Sequence, residues 1–155
     1  MLERCYDTNY VSRNPTYATC SVCEEWLTFS NFKKWMEKQD WKGKQLDKDL
    51  IVPGNKIYSP DACIFVDSMI NTILNDHEDQ RGEFPKGVKA NGWKYSARCS
   101  VNGKRVHIGT FETPEIAAGK YREYKYRWIM TVANKQEDNL KHALQRHAKL
   151  IINDF

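Results

Sequence analysis

The sequence predicts an α+β protein made of two small modules, and three observations carry that expectation. Residues 93–101 alternate strictly, with Trp93, Tyr95, Ala97, Cys99 and Val101 on one side and Lys94, Ser96, Arg98 and Ser100 on the other. Thr113-Pro114-Glu115-Ile116 reads as an N-cap, a proline in the first turn and an acidic helix start. Upstream, residues 48–52, 53–56, 57–58 and 62–74 read as strand, turn, strand and helix.

The remaining elements follow in order. Ser30 is a plausible N-cap for a helix of about ten residues with Phe32, Trp35 and Met36 on its apolar side. Ser59-Pro60-Asp61 opens the helix or turn before 62–74, whose apolar face carries Phe65, Met69, Ile70, Ile73 and Leu74. Asn102-Gly103 suits a type I′ hairpin turn, because both central positions of that turn need positive φ. Lys104–Phe111 then returns as the partner strand. A helix runs from Pro114 through about Ala133, and a last one over 136–152 with Leu140, Leu144, Ala148 and Ile151 inward.

The 155 residues suffice for one ordinary domain or two small ones, and two small ones fit the charge distribution better. Residues 1–85 hold 10 Lys+Arg against 14 Asp+Glu, a net −4, whereas residues 86–155 hold 14 against 6, a net +8. The second half thus has the electrostatic footprint of a phosphate-binding surface. Polar residues 75–83, closed by Phe84-Pro85-Lys86-Gly87, place the break: a first domain over 1–76, a linker over 77–86 and a second domain over 87–155. A hydrophobic content of 41%, with five Trp and eight Tyr to bury, excludes a wholly disordered chain. No run is apolar enough to span a bilayer, and Met1-Leu2-Glu3-Arg4-Cys5 lacks a secretory layout, so the expected location is cytoplasmic with no membrane partner.

The C-terminal half resembles a known family. Gly87-Val88-Lys89, Trp93 to Arg98, Asn102 to Phe111 and Thr113 to Tyr121 are similar to the AP2 DNA-binding domain, over about forty residues in order. The resemblance implies a three-stranded antiparallel sheet packed on a helix and bound to double-stranded DNA. It assigns DNA contacts to Lys89, Asn91, Lys94, Arg98, Ser100, Arg105 and His107. Ser100 stands where the plant proteins usually have Arg, and His107 where they usually have Trp. The residues themselves support the reading: with the apolar side of the hairpin packed on Ala117, Ala118 and Tyr121, Lys89, Lys94, Arg98, Arg105 and His107 face outward.

The N-terminal half resembles phage-type HNH endonucleases, many of them homing endonucleases that carry an AP2-like module after the nuclease. Met1 to Tyr6, Tyr17 to Trp26, Phe29 to Phe32, Leu46-Asp47-Lys48-Asp49 and Gly54 to Val66 carry this likeness. The resemblance implies a ββα unit that holds Mg2+ or Mn2+ against a scissile phosphate beside a general base, normally His. Asp47 matches the first metal position, Lys48 the place of that His, and Asn55 the turn; Ala62 stands where the last Asn or His is expected, with Asn71 the substitute further along. Lys48 can be a base only if burial lowers its pKa against the pull of Asp47 and Asp49. The chain starts where such relatives are already under way, which implies a missing short N-terminal piece.

Five cysteines, an odd number, argue for reduced thiols or a metal site rather than a disulfide framework. Cys20-Ser21-Val22-Cys23 has zinc-knuckle spacing, which Cys5 and Cys63 would complete, and Cys20 alternating with Val22 equally suits a buried strand. Cys99 belongs to the hairpin core. Lys141, His142, Arg146, His147 and Lys149 line the last helix, which packs back on its own domain, contacts phosphate or pairs with a second copy. Two functions fit this pattern: a DNA-binding, homing-endonuclease-like phosphodiesterase of weak or absent activity, or a non-catalytic derivative. The derivative would regulate transcription or inhibit a host or defence machine such as CRISPR or restriction, its acidic N-terminal half docking on a basic protein surface.

Overall fold

The computed structural model describes residues 1–74 and 83–153, and the chain gathers into two compact units, 1–71 and 72–155. The linker expected over 77–86 falls mostly on 75–82, outside the described residues.

The first unit opens with two short helices, α1 (Leu2–Tyr6) and α2 (Thr8–Arg13), the second capped by Asp7, whose Oδ1 accepts from the Tyr10 amide at 2.6 Å. Then come β1 (Ser21–Val22), α3 (Glu24–Leu27), α4 (Phe29–Met36), β2 (Gln45–Asp47), β3 (Ile57–Tyr58), β4 (Ile64–Val66) and α5 (Ser68–Leu74). The strands form two minimal sheets: β1 runs parallel to β3, and β2 runs antiparallel to β4 with Asp47 opposite Ile64.

Strands this short cannot hold a sheet together by themselves. An aromatic cluster supplies the packing. Trp26 is fully buried, with the rings of Phe32 and Trp35 at 5.1 and 4.6 Å, and Phe65 stacks on Trp35 at 5.7 Å. Cys5, Cys20, Val22, Tyr58 and Cys63 complete this core.

Three sequence expectations are corrected here. Residues 48–52 form no strand: the Asp47 carboxylate accepts from the backbone amides of Asp49 and Leu50, at 3.0 and 2.8 Å, and turns the chain out of the extended path. The helix expected over 62–74 starts only at Ser68, because Ile64-Phe65-Val66 extends to pair with β2. Ser30 is no N-cap: α4 begins at Phe29, with Thr28 in the capping position and no side-chain cap bond.

In the second unit β5 (Val88–Asn91), β6 (Lys94–Val101) and β7 (Lys104–Phe111) form an antiparallel sheet in the order β5-β6-β7, followed by α6 (Pro114–Ala133) and α7 (Asp138–Asn153). The expected turn is present, with Asn102 at φ 50° and Gly103 at φ 74°. So is the expected cap: Thr113 Oγ1 accepts from the Ile116 amide at 3.3 Å, with Pro114 next. Val88, Ala97 and Cys99 face Ala117, Ala118 and Tyr121, with Tyr95, Val101, Ile108 and Phe111 around them.

Ala97 lies opposite Gly109 while Arg98 lies opposite His107, so Ile108 is an extra, bulged residue on β7 that turns inward. The second helix packs along α6 and buries Ala143, Leu144 and Ala148. Among the described residues no helix is long and apolar enough to cross a membrane.

Gly87 leads into β5 at φ 75°, and a Cβ built there would lie 2.2 Å from the Tyr121 ring. Left-handed backbone and overpacking both oppose a side chain. Gly87→Ala is therefore expected to lower the stability of this unit by about 2–4 kcal/mol, read by urea unfolding.

Candidate nucleic-acid interface

The sheet of the second unit has one face covered by α6 and one face open. Register sorts the residues between them, because cross-strand partners share a side. Lys89 pairs with Ser96, Asn91 with Lys94, Arg98 with His107 and Ser100 with Arg105, so every residue assigned to DNA contact lies on the side away from α6. Arg98 is half-buried and the others are exposed.

This face contains details that alternation did not reveal. Ser96 sits at its centre, between Lys89 and Thr110, and is fully buried. Its hydroxyl donates to the Lys89 carbonyl at 3.3 Å. Lys94 Nζ pairs with Glu112 Oε1 at 2.7 Å, and His107 Nε2 lies 3.4 Å from Thr110 Oγ1.

Trp93, expected on the packed face of the strand, is instead in the turn between β5 and β6 and is 99% exposed. Asn91 pairing with Lys94 closes a two-residue loop whose first position, Gly92, has φ 62°; the ladder therefore ends before Trp93.

Beneath the sheet lie two lysines that composition alone did not flag. Lys125 stands four residues after Tyr121 on the buried stripe of α6, and that helical spacing was the available signal. It is buried, with its ammonium 5.6 Å from the Trp128 ring centre, and burial pulls its pKa down. Lys86 is lowered to about 8 by burial and then by the charge of Lys125. Burial conversely raises the Cys99 thiol.

Of the residues matched to nuclease chemistry, Asp47 ends β2, Lys48 and Asn55 lie in the loop after it, Ala62 lies between β3 and β4, and Asn71 is in α5. Burial raises the Asp47 carboxyl against the two backbone amides it accepts from. Lys48 is buried with Nζ 2.9 Å from Asp49 Oδ2 and 3.4 Å from the Asn55 carbonyl; burial alone would lower its pKa, but the bond and charge of Asp49 outweigh it and hold it above the ordinary value. Asn55 ties the loop ends: Nδ2 donates to the Lys48 and Ile57 carbonyls, each at 2.6 Å, and Oδ1 accepts from the Ile57 amide at 3.2 Å. Asn71 Nδ2 donates to Gln45 Oε1, which lies two residues before Asp47 and hence on the same side of β2. Ala62 is buried.

Cys5, Cys20 and Cys63 are core residues, and Cys23 packs against them half-buried. Burial, chiefly, pushes the Cys63 thiol up to about 12. Among the described residues no three or more His, Cys, Asp or Glu side chains gather as a metal site would require. No family model, curated protein or solved structure matches the chain.

Two outcomes follow from this geometry. Asn55→Ala removes three hydrogen bonds from one loop and is expected to lower the stability of the first unit by about 1–3 kcal/mol in thermal unfolding. Lys86, at about 8 in the folded chain against 10.5 ordinarily, sheds its proton earlier when folded, so it adds stability as pH rises through that window. The buried Cys99 thiol has the opposite sign above its ordinary value of 9. Comparing wild type with Lys86→Met isolates the lysine: wild type gains relative to the variant between pH 7.5 and 9.5 in urea midpoints.

Proposed function

We propose that this chain is a double-stranded-DNA-binding protein of the phage HNH/AP2 kind, whose ββα unit is catalytically weak or inactive. The single observation carrying the reading is that Lys89, Asn91, Lys94, Arg98, Ser100, Arg105 and His107 share the open face of one three-stranded sheet. A β-ribbon of this width enters the major groove. There Arg can bond guanine in bidentate fashion, Asn suits adenine, and Lys neutralises phosphate.

The loop after β2 supports weak or absent cleavage. A general base must be able to take a proton, and Asp49 keeps the Lys48 ammonium charged. The donors also fit a resident Mg2+ or Mn2+ poorly. Oδ1 of Asp47 is committed to two backbone amides, and Ala62 offers no ligand. The same observations favour a second reading, a non-catalytic derivative that acts on transcription or on a host or defence protein.

A gel shift over a salt series tests the first reading. With Lys89, Arg98 and Arg105 on phosphates or bases, the slope of log affinity against log salt is expected near about −3, and Lys89→Ala is expected to flatten it by about one unit. Glu112→Gln frees Lys94 from an exposed ion pair worth at most about 1 kcal/mol and is expected to tighten binding a few-fold. Plasmid incubated with Mg2+ or Mn2+ is expected to stay supercoiled; nicking abolished by Asp47→Ala would restore the working nuclease. Absence of any shift at low salt would leave only the protein-partner reading.

A further inference from the structure

The tip of the β5–β6 hairpin is chemically unlike the rest of the sheet. Trp93 is almost wholly solvent-exposed at 99%, although an indole is among the side chains with most to gain from burial. Its backbone is fixed at the tip, because Asn91 and Lys94 close the loop and Gly92 supplies the positive φ the turn requires. Asn91 and Lys94 flank it, both exposed, and Lys89 is two residues behind Asn91 on the same side of the strand. A protein partner would call for an apolar surround that excludes water from the anchor residue. The surround here is polar and charged: the Asn91 carboxamide, the Lys89 ammonium and the Lys94 ammonium, the last in an exposed, exchangeable ion pair with Glu112. Cations beside a bare aromatic plane match a charged backbone carrying flat bases.

We propose that Trp93 is a stacking wedge for an unstacked nucleobase, so that the protein prefers DNA holding an unpaired base to fully paired DNA. The inference rests on the DNA-binding reading and deepens it. In a paired duplex both faces of each base are covered by its neighbours, so an indole reaches a face only where a base is unpaired or a step has been opened. Lys89 and Lys94 hold the backbone on either side, and the rigid two-residue turn presents the ring without a loop-ordering penalty. Stacking on an aromatic side chain is tolerant of base identity, so the preference is for structure rather than sequence.

The test measures affinity for two fluorescein-labelled duplexes of the same sequence, one fully paired and one with a single-base bulge, by fluorescence anisotropy at one salt concentration. Wild type is expected to favour the bulged duplex by roughly tenfold. In Trp93→Ala the ratio is expected to fall close to one, and in Trp93→Phe to keep part of the preference. A 2-aminopurine at the bulge is expected to be quenched by wild type and not by Trp93→Ala. Equal ratios for wild type and Trp93→Ala, with binding intact, would overturn the wedge and leave the DNA reading standing. Absence of salt-sensitive binding to either duplex would overturn the DNA reading and the wedge with it. Because Trp93 is outside the core, matching melting temperatures verify that the variants are folded.

Discussion

The close packing of three alanines organises the second unit. Ala97 on β6 and Ala117 and Ala118 on α6 are all but inaccessible to solvent, and side chains this small let the helix backbone approach the sheet. That approach commits one face of the sheet to the interior and so commits the other to solvent. The side chains on the open face have no say in which way they point; alternation assigns them once Ala97 is inside. Tyr121 lies over Gly87 at the start of β5, which seats the edge strand on the same helix. The bulge at Ile108 preserves the arrangement along β7, keeping His107 outward beside Arg98 while Ile108 joins the core.

Charge is distributed on both sides of this sheet for different reasons. The exposed lysine and arginine residues are solvated and screened, and their ion pairs, such as Lys94 with Glu112, exchange readily for another anion. Lys125 and Lys86 lie in surroundings that disfavour their charge, as the downward direction of both pKa values shows. The groups whose charge burial disfavours are thus separate from those that line the open face.

The first unit is organised differently. Its strands are two or three residues long, and the packing of Trp26, Phe32, Trp35 and Phe65 holds what hydrogen-bonded pairing cannot. The polar residues after β2 serve the same end. Asp47 turns the chain, Asn55 closes the loop and Lys48 joins Asp49 within it. These side chains bond the backbone of an irregular segment, whose polar groups would otherwise lack partners.

The sequence by itself determined the β6–β7 hairpin and the start of α6. A hairpin with an Asn-Gly turn and a helix with a Thr-Pro-Glu start are local patterns, and a period of two sorts side chains without reference to anything distant. It also determined which residue types would share the open face, since pairing across a tight turn fixes register. What only the tertiary structure decided lay where contacts distant in sequence outweighed local pattern. Ile64-Phe65-Val66 left a helical periodicity to pair with β2, and Asp47 drew the following residues away from strand geometry. Trp93 continued the alternation on paper, yet the ladder to β5 stopped one residue short of it and left the ring in water. Alternation specifies a side only while a neighbouring strand is present to define one, and where that neighbour ends depends on the partner strand rather than on the residue itself.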